Sequence, residues 1–288
     1  MVDLHMHTKF SDGTDTIEEI IDKWIDNKLT YVSITDHDTI DGVSYLFAHN
    51  ELQNKLKDNH INFIQGIEFS SFVGENLIHL LGYKCDIQNS QFLSAVEMGR
   101  NLRYNKFLRR IDALKEQFGI EFSENSLNEM KEKLDYIGKP IMARYMLKDG
   151  ICDNLEDCFK LYLNKLKLER IETRVDANVV VPAIVSAKGV CVWAHPLGGI
   201  GEERISFEKV EEIINLLIPL GLKGLECYYN MYTSEEIEKL LSIAKKYNLF
   251  VSAGSDYHGK NKTVKIGDMC IDKKITVTKD MATVLKYI

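Results

Sequence analysis

An alternation of short apolar runs with longer amphipathic ones restricts the fold most. It runs over residues 1–85, stops over 89–188 and then resumes. Residues 2–4 and the β-branched run 31–35 read as strands. Between them, Ile17, Ile20, Ile21, Trp24 and Ile25 form one stripe at helical spacing within 16–29, and Thr16 with Glu19 has the spacing of a capping box. Residues 42–57 read as a helix, and 62–68 and 77–83 as strands. From 89 to 188 strand signal nearly vanishes: 91–118 is one long helical segment, followed by helical patterns at 126–134, 141–148, 155–166 and 178–187. Strands return at 190–194, 224–228 and 249–255, separated by helices 207–217 and 234–247, the second opened by a capping box at Thr233 and Glu236. Strand–helix–strand order implies parallel strands with helical crossovers, an α/β fold. The strand number, with one helical interruption, suggests a barrel over an open sheet, although periodicity alone leaves closure open.

A chain of 288 residues holds one large domain, or a core plus an insertion. Its net charge of −7 excludes a broad nucleic-acid-coating surface, but a small anionic substrate fits wherever positive charge is concentrated. Cys85, Cys152, Cys158, Cys191, Cys227 and Cys270 contain no C-x-x-C pair and read as free thiols of a reducing compartment. Asp3 and His5 stand where a signal peptide needs an apolar stretch, and the apolar run 179–185 is too short to span a bilayer. The expectation is a cytoplasmic chain with no membrane partner; its oligomeric state is not encoded in any motif.

The chemistry-bearing residues gather at the ends of the strands. Six of the eight histidines end predicted strands or lie just beyond them, beside carboxylates or glycines. The segments are Asp3-Leu4-His5-Met6-His7, Ser11-Asp12-Gly13, Thr35-Asp36-His37-Asp38, Gly66-Ile67-Glu68, Ile78-His79, Ala194-His195-Pro196 and Gly254-Ser255-Asp256-Tyr257-His258. In a parallel barrel the C-terminal strand ends share one face, so these groups would converge. His5 and His7, two apart on a strand, would share a side and turn Met6 away. A lone H-x-H pair also occurs on solvated faces, but burying six imidazoles and three carboxylates together is costly without a partner. Divalent metals remove that cost. His49, inside a predicted helix, and His60, just before a strand, lack such surroundings and read as surface or packing residues.

This ordered series of motifs resembles the PHP (polymerase and histidinol phosphatase) superfamily over residues 1–83 and 189–259. The resemblance implies a distorted seven-stranded (β/α) barrel formed by 1–88 and 189–288, with 89–188 as an all-helical insertion that caps the substrate. It also implies a site of two to three divalent metal ions. Carried over residue by residue, one metal would take His5, His7, Glu68 and Asp256. A second would share Glu68 and add His79 and His195, and a third would take Asp12, His37 and His258. Glu68, Asp256 and His195 would form the catalytic core. Asp12 stands where some relatives have His, which favours Mn or Fe over Zn. Asp36 and Asp38 flank His37 and would either orient it or cap its loop.

The insertion is similar to that of a subgroup acting on nucleoside 3′,5′-bisphosphates or the 5′ ends of short RNAs. Arg100, Arg103, Lys106, Arg109 and Arg110 crowd helix 91–118, and Arg103, Lys106 and Arg110 fall within about a 60° arc. Lys139 and Arg144 lie in Gly138-Lys-Pro-Ile-Met-Ala-Arg144, which resembles the subgroup's G-[RK]-P-x-x-A-R pattern with Ile141 where His is common. Arg103, Arg110, Lys139 and Arg144 are candidate phosphate contacts, against the alternative of a solvated basic face. Tyr228 and Tyr229 would stack on a base or lie in the core. Three divalent cations would outweigh Asp12, Glu68 and Asp256 and draw phosphate; a metal-held water would ionise near neutral pH and attack phosphorus. The expected activity is therefore hydrolysis of a phosphate ester of a small nucleotide or short RNA by metal-bound hydroxide. Three alternatives stay open: a histidinol phosphatase of the same family, an amidohydrolase-type C–N hydrolase, and a non-catalytic metal-binding module. The second typically uses eight strands and often a bridging modified lysine, and no lysine stands at a suitable strand end; the third would lack ligands, and none is missing.

Overall fold

A computed structural model of the chain describes residues 1–132, 138–168 and 173–288. Its strands are β1 (Val2–Asp3), β2 (Tyr31–Ile34), β3 (Asn62–Val73), β4 (Asn76–Tyr83), β5 (Val175–Asp176), β6 (Val190–Trp193), β7 (Gly224–Tyr229) and β8 (Phe250–Gly254). Seven of them form one path, β1-β2-β3-β4-β6-β7-β8, with β5 added beside β3. The path curls until the segment after β1 meets the end of β8: Leu4 N–H donates to Ala253 O (2.9 Å) and Asp256 N–H to His5 O (2.8 Å). The result is a nearly closed, distorted seven-stranded barrel.

The distortion lies at β4, which runs antiparallel to both β3 and β6. The expectation of uniformly parallel strands fails here. Only Gly74 (φ 57°) and Glu75 separate β3 from β4, and two residues can turn a hairpin but cannot make a crossover.

Helices α1 (Ile17–Asp26), α2 (Asp41–Ala48) and α3 (Asn50–Asp58) precede β3. Thr16 and Glu19 form the expected capping box on α1, whose Ile17, Ile20, Ile21 and Trp24 pack with Val32 and Ile34 of β2. The single helix expected over 42–57 is broken at His49, where the backbone is extended and the ring Nδ1–H donates to Tyr45 O (2.7 Å).

The segment 89–188 contains α4 (Ser90–Phe118), α5 (Glu124–Glu132), α6 (Lys139–Lys148), α7 (Leu155–Asp157, continuing as a π-helical turn over Cys158–Leu163) and α8 (Ala177–Ser186). Residues 133–134 of the helix expected at 126–134 lie outside the described residues. The segment divides between two apolar cores. Phe92, Ala95 and Val96 of α4, with Val180, Val181 and Ile184 of α8, pack into the barrel core. Phe107 and Leu114, farther along α4, pack instead with Met130, Met142, Met146 and Leu163. Helix α4 is thus a beam fixed at one end in the barrel and at the other in the helical layer. Helices α9 (Phe207–Leu217) and α10 (Ser234–Lys246) complete the outer wall. Among the described residues, no helix is long and apolar enough to cross a membrane.

Candidate metal centre and its cleft

Short-range geometry builds the first part of the site. His5 and His7 follow β1 in extended backbone, both fully buried, and Met6 between them turns outward to accept a hydrogen bond on sulfur from Trp24 Nε1–H (3.2 Å). Gly254 is required opposite them, because a Cβ there would lie 2.1 Å from the His5 Cβ. Glu68 comes from the middle of β3. His79 comes from the N-terminal half of β4, reaching the same place because β4 runs backwards. His195 and Asp256, each just past its strand, adopt left-handed backbone (φ 30° and 53°), as does Asp38 (φ 55°) beside His37. Such conformations are uncommon outside glycine and aim these side chains inward.

All nine nominated ligands fall into four overlapping groups whose ligand atoms lie within 4.8 Å of one another: His5-His7-Glu68-Asp256, His7-Asp12-His37-His258, His37-Glu68-His79 and His79-His195-Glu202. Glu68 is the hub. Its Oε1 lies 3.1 Å from both His79 Nδ1 and His195 Nε2, and its Oε2 lies 3.2, 3.1 and 3.2 Å from His5, His7 and His37. Yet Glu68 Oε2, His37 Nδ1 and His258 Nε2 have no hydrogen-bond partner although buried. His5 and His7 meet Nε2 to Nε2 at 3.1 Å, and His79 Nδ1 meets His195 Nε2 at 3.2 Å. Lone pairs aimed at shared points, rather than at hydrogens on neighbours, fit cations. Mixed imidazole and carboxylate donors suit Mn, Fe or Zn.

Two carboxylates that carry no sequence motif complete the setting. Glu226 lies 3.1 Å from His5 Nδ1 and accepts from His195 N–H (2.8 Å). Glu202 lies 3.1 Å from His195 Nδ1. Each can hold the Nδ1–H of its imidazole and leave Nε2 facing the cluster. They also make the centre less positive than three carboxylates alone would. The sequence signal for Glu226 is that it is the one acid within the otherwise apolar and aromatic run of β7, and for Glu202 that it is an acid in the glycine-rich loop behind His195-Pro196. Asp256 divides its oxygens. Oδ2 accepts from Lys262 (2.6 Å) and Tyr229 OH (2.9 Å), while Oδ1 faces His7 at 3.4 Å.

Asp36 does not touch His37. It accepts from Thr8 N–H (2.8 Å) and Ser11 Oγ (2.6 Å) and so fixes the loop that presents Asp12. Asp38 accepts from Ser70 N–H (2.8 Å) and Arg103 Nη2 (2.7 Å), tying α4 to β3. Tyr228 is in the barrel core and Tyr229 reaches the site instead. A bulge in β7 between Glu226 and Tyr228 reverses the alternation, so Tyr229 falls on the side of Glu226.

A cleft of about 320 Å³ opens above the cluster, with Asp12, His37 and His79 on its floor and Arg103, Lys106, Arg110, Lys139 and Arg174 around it. Arg103 is committed to Asp38. Burial and the neighbouring Arg110, Arg174 and Arg103 pull the Lys106 amine down to about 7, and burial with Arg103 pulls the Arg110 guanidinium to about 10. These cations repel one another until an anion joins them. Arg144 is not among them: it lies at a different opening, bonded to Asn261. His49 and the exposed His60 stand apart from the cluster.

Protonation gives a direct check on the centre. Burial opposes charging the rings, but Asp256 and Glu68 bring His7 up to about 9, and Glu202 and Glu68 bring His195 up to about 10. His5 is also raised, by Glu68 and Glu226 against burial, but two N–H groups cannot point at each other between His5 and His7, so that pair holds one proton there. Since these values lie above 7, the metal-free protein carries the protons at neutral pH and a metal must displace them. Titration calorimetry in buffers of different ionisation enthalpy is expected to show about two protons released per chain at pH 7, and metal affinity rising from pH 6 to 8. No buffer dependence would contradict this arrangement.

The PHP domain family matches residues 3–164. Over 258 residues the chain is 25% identical to a 3′,5′-nucleoside bisphosphate phosphatase of Chromobacterium violaceum, covering 89% of this chain and 87% of the relative. It is 26% identical over 267 residues to a 5′-3′ exoribonuclease of Haemophilus influenzae, covering 92% of each chain. It is 27% identical over 264 residues to a phosphoribosyl 1,2-cyclic phosphate 1,2-diphosphodiesterase of Eggerthella lenta, covering 90% of this chain and 94% of the relative. A solved structure of a proposed metal-dependent phosphoesterase from Bifidobacterium adolescentis superposes with a TM-score of 0.74 at 27% identity, covering 94% of this chain and 92% of that one. With its barrel, its convergent histidines and this match over more than half its length, the chain belongs to the PHP domain family.

Proposed function

We propose that the chain is a metal-dependent phosphoric ester hydrolase acting on a small nucleotide, either a nucleoside 3′,5′-bisphosphate or the 5′ end of a short RNA. One observation carries this reading: the cleft has groups suited to metal on its floor and, on its walls, Lys106 and Arg110, which have no carboxylate partner among the described residues. A substrate with one reacting phosphate and a second anionic group satisfies both. The names of the Chromobacterium and Haemophilus relatives support the same substrate class.

In this reading His5, His7, Glu68 and Asp256 hold one divalent cation, Glu68, His79 and His195 a second, and Asp12, His37 and His258 a third. Bound Mn, Fe or Zn supplies Lewis acidity to the phosphoryl oxygens and a nucleophile at neutral pH. Glu226 and Glu202 orient His5 and His195. Asp38 anchors Arg103, and Lys106 and Arg110, one and two turns farther along α4, overhang the cleft and grip the second phosphate, with Lys139 at the rim. Arg174 is pinned by its hydrogen bond to Ile78 O (3.1 Å) and adds a fixed charge.

The test is phosphate release from a nucleoside 3′,5′-bisphosphate, nucleotide release from a short 5′-phosphorylated RNA, and turnover of histidinol phosphate, with metal content measured on protein purified without chelator. Expected are two to three transition metals per chain and preference for one of the first two substrates. Preference for histidinol phosphate, or fewer than one metal per chain with activity intact, would overturn the reading.

A further inference from the structure

His79 Nδ1 is surrounded by groups that a single hydrogen cannot serve. Glu68 Oε1 lies 3.1 Å from it, His195 Nε2 3.2 Å and Glu202 Oε1 3.6 Å. Glu68 Oε1 and His195 Nε2 are themselves 3.1 Å apart. Donors that bind one ion at about 2.0–2.2 Å stand ~3.0 Å apart as octahedral neighbours and ~3.4 Å apart in a tetrahedron. The atoms of Glu68, His79 and His195 have that spacing, and Glu202 Oε1 comes close to extending it by a fourth. His79, His195 and Glu202 also form a group of their own, with ligand atoms all within 4.8 Å of one another.

The loop after β6 doubles back to present this carboxylate. Gly198 N–H donates to His195 O (2.8 Å), Glu202 N–H to Gly199 O (3.1 Å) and Ile205 N–H to Leu197 O (3.3 Å). Gly198 has φ 98°, and a Cβ there would lie 2.6 Å from Glu203 O; a Cβ on Gly199 would crowd His195 Nδ1 at 3.1 Å. The two oxygens of Glu202 then face different partners. Oε2 accepts from Gly199 N–H (2.9 Å) and lies 3.1 Å from His195 Nδ1. Orienting His195 needs only that oxygen, and Oε1 is left toward His79.

We propose that Glu202 is a fourth protein ligand of the second cation, binding through Oε1 while Oε2 holds His195. The proposal rests on the reading of Glu68, His79 and His195 as the holders of that cation. It gives the second site as many protein donors as the first. The added carboxylate lowers the site's net charge by one, strengthens its hold on a divalent ion and leaves fewer positions for phosphate and water. It also stands on the loop whose Ile200 lines the cleft, so one turn of chain joins the cleft's rim to the metal.

The experiment loads the full chain with Zn, whose absorption edge locates each ion, and determines the crystal structure. Glu202 Oε1 is expected about 2.0–2.2 Å from the ion shared by His79 and His195, and an ion there with Oε1 beyond about 3 Å would overturn the proposal. Glu202→Gln tests the same point in solution. Its amide oxygen can replace Oε2 in accepting from Gly199 and His195, but its NH₂ cannot replace Oε1 as a ligand. After gel filtration in metal-free buffer the variant is expected to hold one Zn fewer per chain than the parent. Its Kd for that ion, by competition with a chelator, should rise about a hundredfold, whereas full Zn content with a Kd within about threefold of the parent would reduce Glu202 to orienting His195 and overturn the proposal. The unfolding midpoint of the metal-stripped variant, expected to match the parent, separates ligand loss from misfolding, and the crystal structure of the parent decides independently of it. None of these readouts uses turnover. Zn held by all four residues in a chain that hydrolyses no phosphate ester would leave the ligand standing and remove the proposed function, whereas no ion between His79 and His195 would remove both.

Discussion

Replacing Glu68 with alanine is expected to lower turnover by ~10³-fold or more and to strip metal from the protein, because the centre's charge stabilisation is worth several kcal/mol. Glu68 is fully buried and lies within 3.2 Å of five imidazoles, so among the described residues no other side chain touches as much of the cluster. Its carboxyl is held well below its ordinary range: burial alone would raise it, but His5, His37 and His79 outweigh that. Glu68→Gln, which keeps the volume and removes the charge, is expected to behave like the alanine variant. His79→Ala removes one imidazole and leaves Glu68 facing four, so its loss should be roughly tenfold smaller. Elemental analysis and kcat on p-nitrophenyl phosphate check both. Comparable residual kcat in Glu68→Ala and His79→Ala would remove the bridging role from Glu68.

The second large effect is one of specificity. Arg110→Leu is expected to lower kcat/KM for a nucleoside 3′,5′-bisphosphate by about ten- to a hundredfold, the ~1.5–3 kcal/mol of one charged hydrogen bond. Metal content and turnover of p-nitrophenyl phosphate, which has no second phosphate, should be unchanged. Arg110 Nε is buried without a hydrogen-bond partner, which suits a group awaiting an anion. The pH profile carries a second signature. Lys106 sits at about 7 without substrate, and a phosphate beside it favours its charged form. As pH rises above 7 the free enzyme loses that charge, so kcat/KM for the bisphosphate should fall more steeply than for p-nitrophenyl phosphate. Equal losses on the two substrates in Arg110→Leu would place this arginine at the reacting phosphate instead.

Much of the site could be read from the chain because its parts obey short periods. His5 and His7 share a face through the two-residue repeat of extended backbone, and the stripe on α1 follows from helical spacing. Polar groups at strand ends are visible without knowing which strands are neighbours. The ordered motifs therefore nominated nine residues that lie together in the folded chain. Their individual roles are proposals, and the Glu68 and His79 variants separate a bridging ligand from a terminal one.

Other assignments depended on where distant segments met. Arg103 and Arg110 share one helix face, yet Asp38 occupies the first and leaves the second for an anion. Lys139 and Arg144 belong to one motif, but the chain path places Lys139 at the metal-floored cleft and Arg144 at the other opening. Glu202 and Glu226 carry no motif, because holding an imidazole from behind demands only a carboxylate at the right distance from a residue far away in sequence. The residues themselves determined the kinds of donor and their local facing, since these depend on backbone period and side-chain chemistry. Tertiary structure decided direction and register: a two-residue turn reversed β4, and one extra residue in β7 exchanged Tyr228 for Tyr229, because a single-residue slip moves every later side chain to the opposite face of a strand.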